Sequence, residues 1–162
     1  MRRPYGFKKF IVRGGYFGIY LTECESRVSF HKSQDPREKS YRSAMTRNIE
    51  TTFLQAWWVA GKPVANRIER AFNEHFDNRC DGDRHFDTDH AEAAAFIEKT
   101  TLNMGTWTAS ESDMINLMDL IERCKRRDSA DGPTPLAGLS ELPPPDNPSV
   151  LIHFRECLSS VF

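Results

Sequence analysis

The sequence predicts an α+β fold: a small antiparallel or mixed three-stranded sheet flanked by helices, with a helical extension at the C-terminus. Three observations carry this. Two stretches rich in aromatic and β-branched residues, ending at Thr22 and Lys32, are joined by a short polar turn. The helix-start signal Asp35-Pro36-Arg37-Glu38 follows at once. A third apolar run, Thr51 to Ala60, leads into a segment with helical spacing.

Element by element, Phe10 to Thr22 reads as strand entering strand, broken by Gly14-Gly15. Glu23 to Ser26 is the turn and Arg27 to Lys32 the second strand, which completes a hairpin. Asp35 is placed to cap a helix, with Pro36 at its first position and Glu38 at its third, running to about Thr46. Thr51 to Ala60 is a buried strand. Gly61-Lys62-Pro63 opens a helix to about Phe76, whose apolar residues Val64, Ala65, Ile68, Ala71, Phe72 and Phe76 keep helical spacing. Asp77 to Thr88 is an acidic loop with a short strand at His85-Phe86, and Ala91 to Lys99 is helical. We expect residues 1–100 to form the domain and 101–162 the extension. Within the extension, 111–127 is an amphipathic helix behind a capping-box-like Ser110-Glu111-Ser112-Asp113 start. Residues 129–148 carry six prolines and read as a linker, and 149–162 as a short apolar tail that docks on the domain or on a protein partner.

The chain has 162 residues, enough for one domain with an appendage. No continuous apolar stretch approaches the roughly 18 residues of a spanning helix, so no membrane role is expected. The basic start MRRPYGFKKF has no apolar core of a secretory signal. Cys24, Cys80, Cys124 and Cys157 are far apart, which points to reduced thiols and a cytoplasmic protein. The net charge of -1, taken as a sum, speaks against a nucleic-acid partner, but charge is segregated along the chain. Met1 to Asn48 holds 11 Lys and Arg against 4 Asp and Glu, a local net of +7, while the remainder is acidic. A basic third can neutralise phosphates on one face.

Ordered motifs narrow the function. The opening strand contains Gly18-Ile19-Tyr20. The second strand runs into Ser33-Gln34-Asp35-Pro36 and a basic helix. The next helix carries Arg67-Ile68-Glu69-Arg70-Ala71-Phe72, with Phe76 seven residues after Glu69. Gly82-Asp83-Arg84-His85-Phe86 follows, with Phe86 ten residues after Phe76. Over roughly Phe10 to Lys99 this set resembles the GIY-YIG nuclease superfamily, in particular its small phage-type branch.

The resemblance implies a divalent-metal-dependent DNA endonuclease, a hydrolase of phosphodiester bonds. In such a domain the first-motif tyrosine and groups of the second strand activate or orient water. A basic residue of the first helix meets the phosphate, and a glutamate of the next helix holds Mg²⁺ or Mn²⁺. Carried over, the catalytic candidates are Tyr20, His31, Lys39 and Arg42, and the metal ligand is Glu69. Lys32, Arg37 and Arg47 are the nucleic-acid-binding candidates. These residue types suit the chemistry, because cleavage needs a nucleophile activator, a cation at the developing phosphorane charge and stabilisation of the leaving oxygen.

The second motif departs from the family pattern. Val28-Ser29-Phe30-His31 stands where V-Y-I-G or V-K-I-G is expected, so Ser29 replaces the Tyr or Lys and His31 the Gly. His31 is a candidate general base. Lys39 stands where the family has Arg, and a lysine meets a phosphate as a point charge rather than a fork. Two alternatives follow: a catalytically inactive nuclease fold that binds DNA or a protein partner through the same surface, and an interaction module that engages a protein through the C-terminal extension. Cys80, His85 and His90 have poor zinc spacing, and 77–88 fails as a calcium loop.

Overall fold

A computed structural model describes residues 3–47, 50–81 and 83–128, without the side chains of Arg47 and 124–128. The proline-rich segment 129–148 and the apolar tail 149–162 lie outside the described residues. The architecture is α+β with five α-helices and a three-stranded antiparallel sheet among the described residues. The order in the chain is α1 (Phe7–Arg13), β1 (Phe17–Cys24), β2 (Arg27–Ser33), α2 (Pro36–Arg47), β3 (Thr52–Val59), α3 (Lys62–Phe76), α4 (His90–Asn103) and α5 (Glu111–Asp128).

β1 is the central strand, between β2 and β3. The β1–β2 connection is a two-residue turn in which Glu25 and Ser26 both have positive φ, 50° and 62°. That geometry matches the twist of a tight hairpin. It sets the register Tyr20 opposite His31 and Thr22 opposite Ser29. Because successive side chains alternate in direction, these four share one face. Ile19, Leu21, Val28 and Phe30 take the other face, where they pack with Ile68, Phe72, Phe76 and Ile97 of α3 and α4.

The expected start of α2 holds in detail: Asp35 Oδ1 accepts a hydrogen bond from the Glu38 backbone N–H at 3.2 Å. So does the start of α5. The Asp113 N–H donates to Ser110 Oγ at 3.2 Å, and Asp113 Oδ2 accepts from the Ser110 N–H at 2.9 Å.

One expectation is corrected. Phe10 to Arg13 is not strand but the second half of α1. Phe7 and Ile11 are buried four residues apart, whereas Lys8, Lys9 and Val12 face outward, which is a helical period rather than an alternating one. The boundary expected near residue 100 falls inside α4. The apolar face of α5 closes a second core, in which Met114, Leu117 and Met118 meet Phe7, Ile11, Tyr16, Trp58 and Trp107. A pair of backbone hydrogen bonds between Trp58 and Ala109, 2.8 and 2.9 Å, fastens the segment before α5 to β3.

Gly18 has a steric reason. A Cβ there would lie 2.5 Å from Pro36 Cγ and 2.7 Å from the Ser33 carbonyl oxygen. The bare backbone lets the start of α2 cross directly over β1.

Candidate functional site

A cleft of about 360 Å³ is lined by side chains from six parts of the chain, one of them Thr51 just before β3. β1 supplies Tyr20 and Thr22, β2 supplies Ser29, His31 and Lys32, and α2 supplies Lys39, Ser40 and Ser43. Glu69 comes from α3, and Asp83, Arg84 and His85 from the loop before α4. β2 is an edge strand, so the cleft reaches residues that point to both faces of the sheet.

On the face shared with α1 and α5, Tyr20 stacks between His31 and Phe53, with ring centroids 5.1 and 5.8 Å apart. Tyr20 is buried, and burial pushes its phenol up to about 12 because the phenolate would lose its hydration. His31 Nε2 lies 2.9 Å from Thr22 Oγ1. Ser29 Oγ lies 2.7 Å from His85 Nδ1.

At the other end of the cleft, Lys32 Nζ donates to Glu69 Oε2 and to Asn66 Oδ1, each at 2.5 Å. The Lys32 and Glu69 side chains are 27% and 22% exposed, so the pair is only partly screened by solvent. Lys39 is exposed and makes no ion pair among the described residues. It lines both this cleft and an adjoining shallow groove with Lys8, Arg42 and Lys62.

The structure thus brings together Tyr20, His31, Lys32, Lys39 and Glu69. It does not bring Arg37 or Arg42 into the cleft. Arg37 Nε donates to Glu111 at 3.1 Å, and its guanidinium lies over the Phe53 ring at 5.4 Å. Arg42 is in the adjoining groove and pairs with Glu38, which also binds Lys8 at 2.8 Å. The side chain of Arg47 lies outside the described residues. Ser43 and Arg84 line the cleft without having been singled out, and His85, weighed in the sequence only as a zinc ligand, lines it too. The stretch Gly82-Asp83-Arg84-His85-Phe86 was the available signal, since a strand ending in polar residues beside a motif delivers them to it.

A second network sits beside the cleft. Arg3 donates from Nη1 to Asp35 at 2.7 Å and from Nη2 to Glu111 at 2.9 Å. Burial would raise both carboxyls, but the hydrogen bonds and charge of Arg3 outweigh it, with the Glu38 N–H helping Asp35 and Arg37 helping Glu111. Both carboxyls are held below their ordinary values.

No group of three or more His, Cys, Asp or Glu among the described residues is placed to hold a metal. Mg²⁺ does not need one, since it commonly keeps several waters and binds through one or two carboxylates plus substrate phosphates. Glu69 fits that pattern. Its Oε1 is unpartnered among the described residues and Asn66 offers a carbonyl oxygen nearby, although Lys32 holds Oε2. The zinc candidates are engaged separately: His85 with Ser29, and His90 Nε2 with Gln55 Oε1 at 3.0 Å. No helix among the described residues is long and apolar enough to cross a membrane. The chain matches no family model, no curated protein and no solved structure.

Proposed function

We propose that this protein acts on nucleic acid through the β2 cleft, as a phosphodiester-binding domain. More particularly, we read it as a GIY-YIG-like, divalent-metal-dependent DNA endonuclease. The observation that carries this is the convergence of Tyr20, His31, Lys32, Lys39 and Glu69, up to 49 positions apart in sequence, on one cleft of about 360 Å³.

Each residue has a task that its surroundings support. Lys39, free of ion pairs among the described residues, offers its charge to an incoming phosphate. Lys32 holds Glu69 in place and can add a second cation. Tyr20 stays protonated throughout the physiological range, so it serves as a hydrogen-bond donor to a phosphate or water oxygen. Glu69 and Asn66 would hold Mg²⁺ or Mn²⁺, which when bound neutralises charge on the leaving oxygen.

The Lys32–Glu69 pair also favours a second reading, a nuclease-fold protein that binds DNA without cutting it, because an ammonium already answers the carboxylate. Incubation with supercoiled plasmid and Mg²⁺ or Mn²⁺ separates the two. Nicking by wild type that Glu69→Ala abolishes supports the endonuclease. Salt-sensitive binding with no nicking supports the binding protein. Nicking that Glu69→Ala leaves intact removes the site assignment.

A further inference from the structure

We propose that His85 is the general base of this cleft, positioned by Ser29. The inference rests on the endonuclease reading and deepens it, by naming the group that takes the proton from the attacking water.

The cleft contains several proton-handling side chains, and their surroundings differ. Tyr20 is buried, and a phenol pushed up to about 12 is a poor proton acceptor at neutral pH. His31 has Nε2 engaged by Thr22 Oγ1 at 2.9 Å, and its ring is stacked against Tyr20. Lys32 and Lys39 are cationic side chains, and Glu69 is bound to Lys32. His85 carries a ring nitrogen open to the cleft. Its Nδ1 is fixed at 2.7 Å from Ser29 Oγ, and its Nε2 has no partner among the described residues.

The mount is rigid. Ser29 is buried on β2, only 2% exposed, so its hydroxyl is a fixed reference point for the ring. The next residue, Phe86, exchanges two backbone hydrogen bonds with Val28, at 3.1 and 2.8 Å, so the His85 loop is pinned to the edge of the sheet. Asp81 Oδ1 accepts from the backbone N–H of both Asp83 and His85, which closes the loop from the other side. A base positioned in this way costs little reorganisation when substrate binds.

The placement also suits in-line displacement. Ser29 and Lys32 are three residues apart on β2, about 10 Å along the strand. An odd spacing also puts the two side chains on opposite faces of this edge strand, so His85 and the Glu69–Lys32 pair flank the cleft from opposite sides. Attacking and leaving oxygens lie on opposite sides of the transferred phosphorus, so base and leaving-group stabiliser belong at opposite ends.

With Nδ1–H donated to Ser29 Oγ, the Nε2 lone pair accepts a proton from water as the water oxygen bonds to phosphorus. The bond from phosphorus to the leaving oxygen breaks with its electron pair on that oxygen, which takes a proton from solvent. The imidazolium then returns its proton to solvent. The titratable and charged groups that line the cleft with His85 are Tyr20 and His31, the Lys32–Glu69 pair, Lys39, and Asp83 and Arg84 of its own loop, while Asp81, paired with Arg27, holds its backbone N–H.

The test compares single-turnover nicking by wild type, His85→Gln and Ser29→Ala across pH, with DNA affinity and melting temperature measured alongside. Expected for H85Q is a fall in rate of about 100-fold or more with DNA affinity retained, and loss of the acidic limb of the pH–rate profile. Ser29 acts as a positioning residue. Ser29→Ala is expected to slow nicking by less while keeping that limb, and to shift the His85 imidazole nitrogen resonances. Wild type that nicks while H85Q nicks equally fast overturns the role of His85 alone. Wild type that binds DNA and never nicks overturns this role together with the endonuclease reading.

Discussion

Replacing Lys32 with Met has an unusual expected signature, since it improves one binding function of the site and weakens another. Lys32 Nζ sits 2.5 Å from both Glu69 Oε2 and Asn66 Oδ1, in a position about three-quarters shielded from solvent. A divalent cation approaching Glu69 meets a like charge and must displace this ammonium. A charge-assisted hydrogen bond of this kind contributes about 1.5 kcal/mol. Since about 1.4 kcal/mol corresponds to a tenfold change in Kd, the lysine should weaken metal binding to the nucleic-acid-free protein by roughly tenfold. Mn²⁺ titration followed by electron paramagnetic resonance reads this directly. K32M should bind Mn²⁺ about tenfold more tightly than wild type, while its affinity for a short DNA duplex falls, because a phosphate loses a cation. Adding Glu69→Ala to K32M should abolish the gain. If K32M binds Mn²⁺ no more tightly than wild type, Glu69 is not the metal ligand and the pair is merely structural.

Three further outcomes are expected. Arg3→Ala should destabilise the fold by about 1–3 kcal/mol, since it strips Asp35 and Glu111 of a shared partner in a half-buried setting. Both carboxyls are lowered in the folded state, so their contribution is full above the ordinary carboxylate range and is lost as pH falls below about 4. Denaturant melts should therefore show a steeper acid loss for wild type than for R3A, and equal slopes would refute the network. Gly18→Ala should cost about 1–3 kcal/mol by forcing Pro36 and Ser33 away, with thermal unfolding as the readout. Tyr20→Phe should slow nicking at least about tenfold without moving the pH profile, because the phenol it removes does not titrate near neutral pH. A displaced profile would mean that Tyr20 is itself the base.

Much of the fold is legible locally. The Asp35-Pro36 cap, the Ser110–Asp113 box and the helical spacing of Ile68, Phe72 and Phe76 each write an element into a few adjacent residues. Phe10-Ile11-Val12 was not decidable in that way. A short apolar run fits a strand or a helix until the contacts of Phe7 and Ile11 with α5 and Trp58 select the helix. The site was half legible. Tyr20 and Glu69 could be singled out because flanking motifs marked them. Arg37 lies in the same basic run as Lys39, yet its partner Glu111 is 74 residues away, and no local pattern encodes that pairing. The Ser29–His85 pair spans 56 residues and depends on the Val28–Phe86 bridge, which the sequence shows only as a short strand of unassigned neighbour.

The central claim is that the cleft, rather than the basic N-terminal third as a whole, receives the phosphodiester. Fluorescence anisotropy of a short DNA duplex titrated with wild type, Lys39→Gln and Arg37→Gln over a range of salt tests it most directly. Lys39 faces the cleft without an ion pair among the described residues, whereas Arg37 is committed to Glu111. K39Q should weaken binding and reduce the salt slope by about one, while R37Q leaves both near wild type. Equal losses in the two variants, or none in K39Q, would contradict the assignment of the cleft.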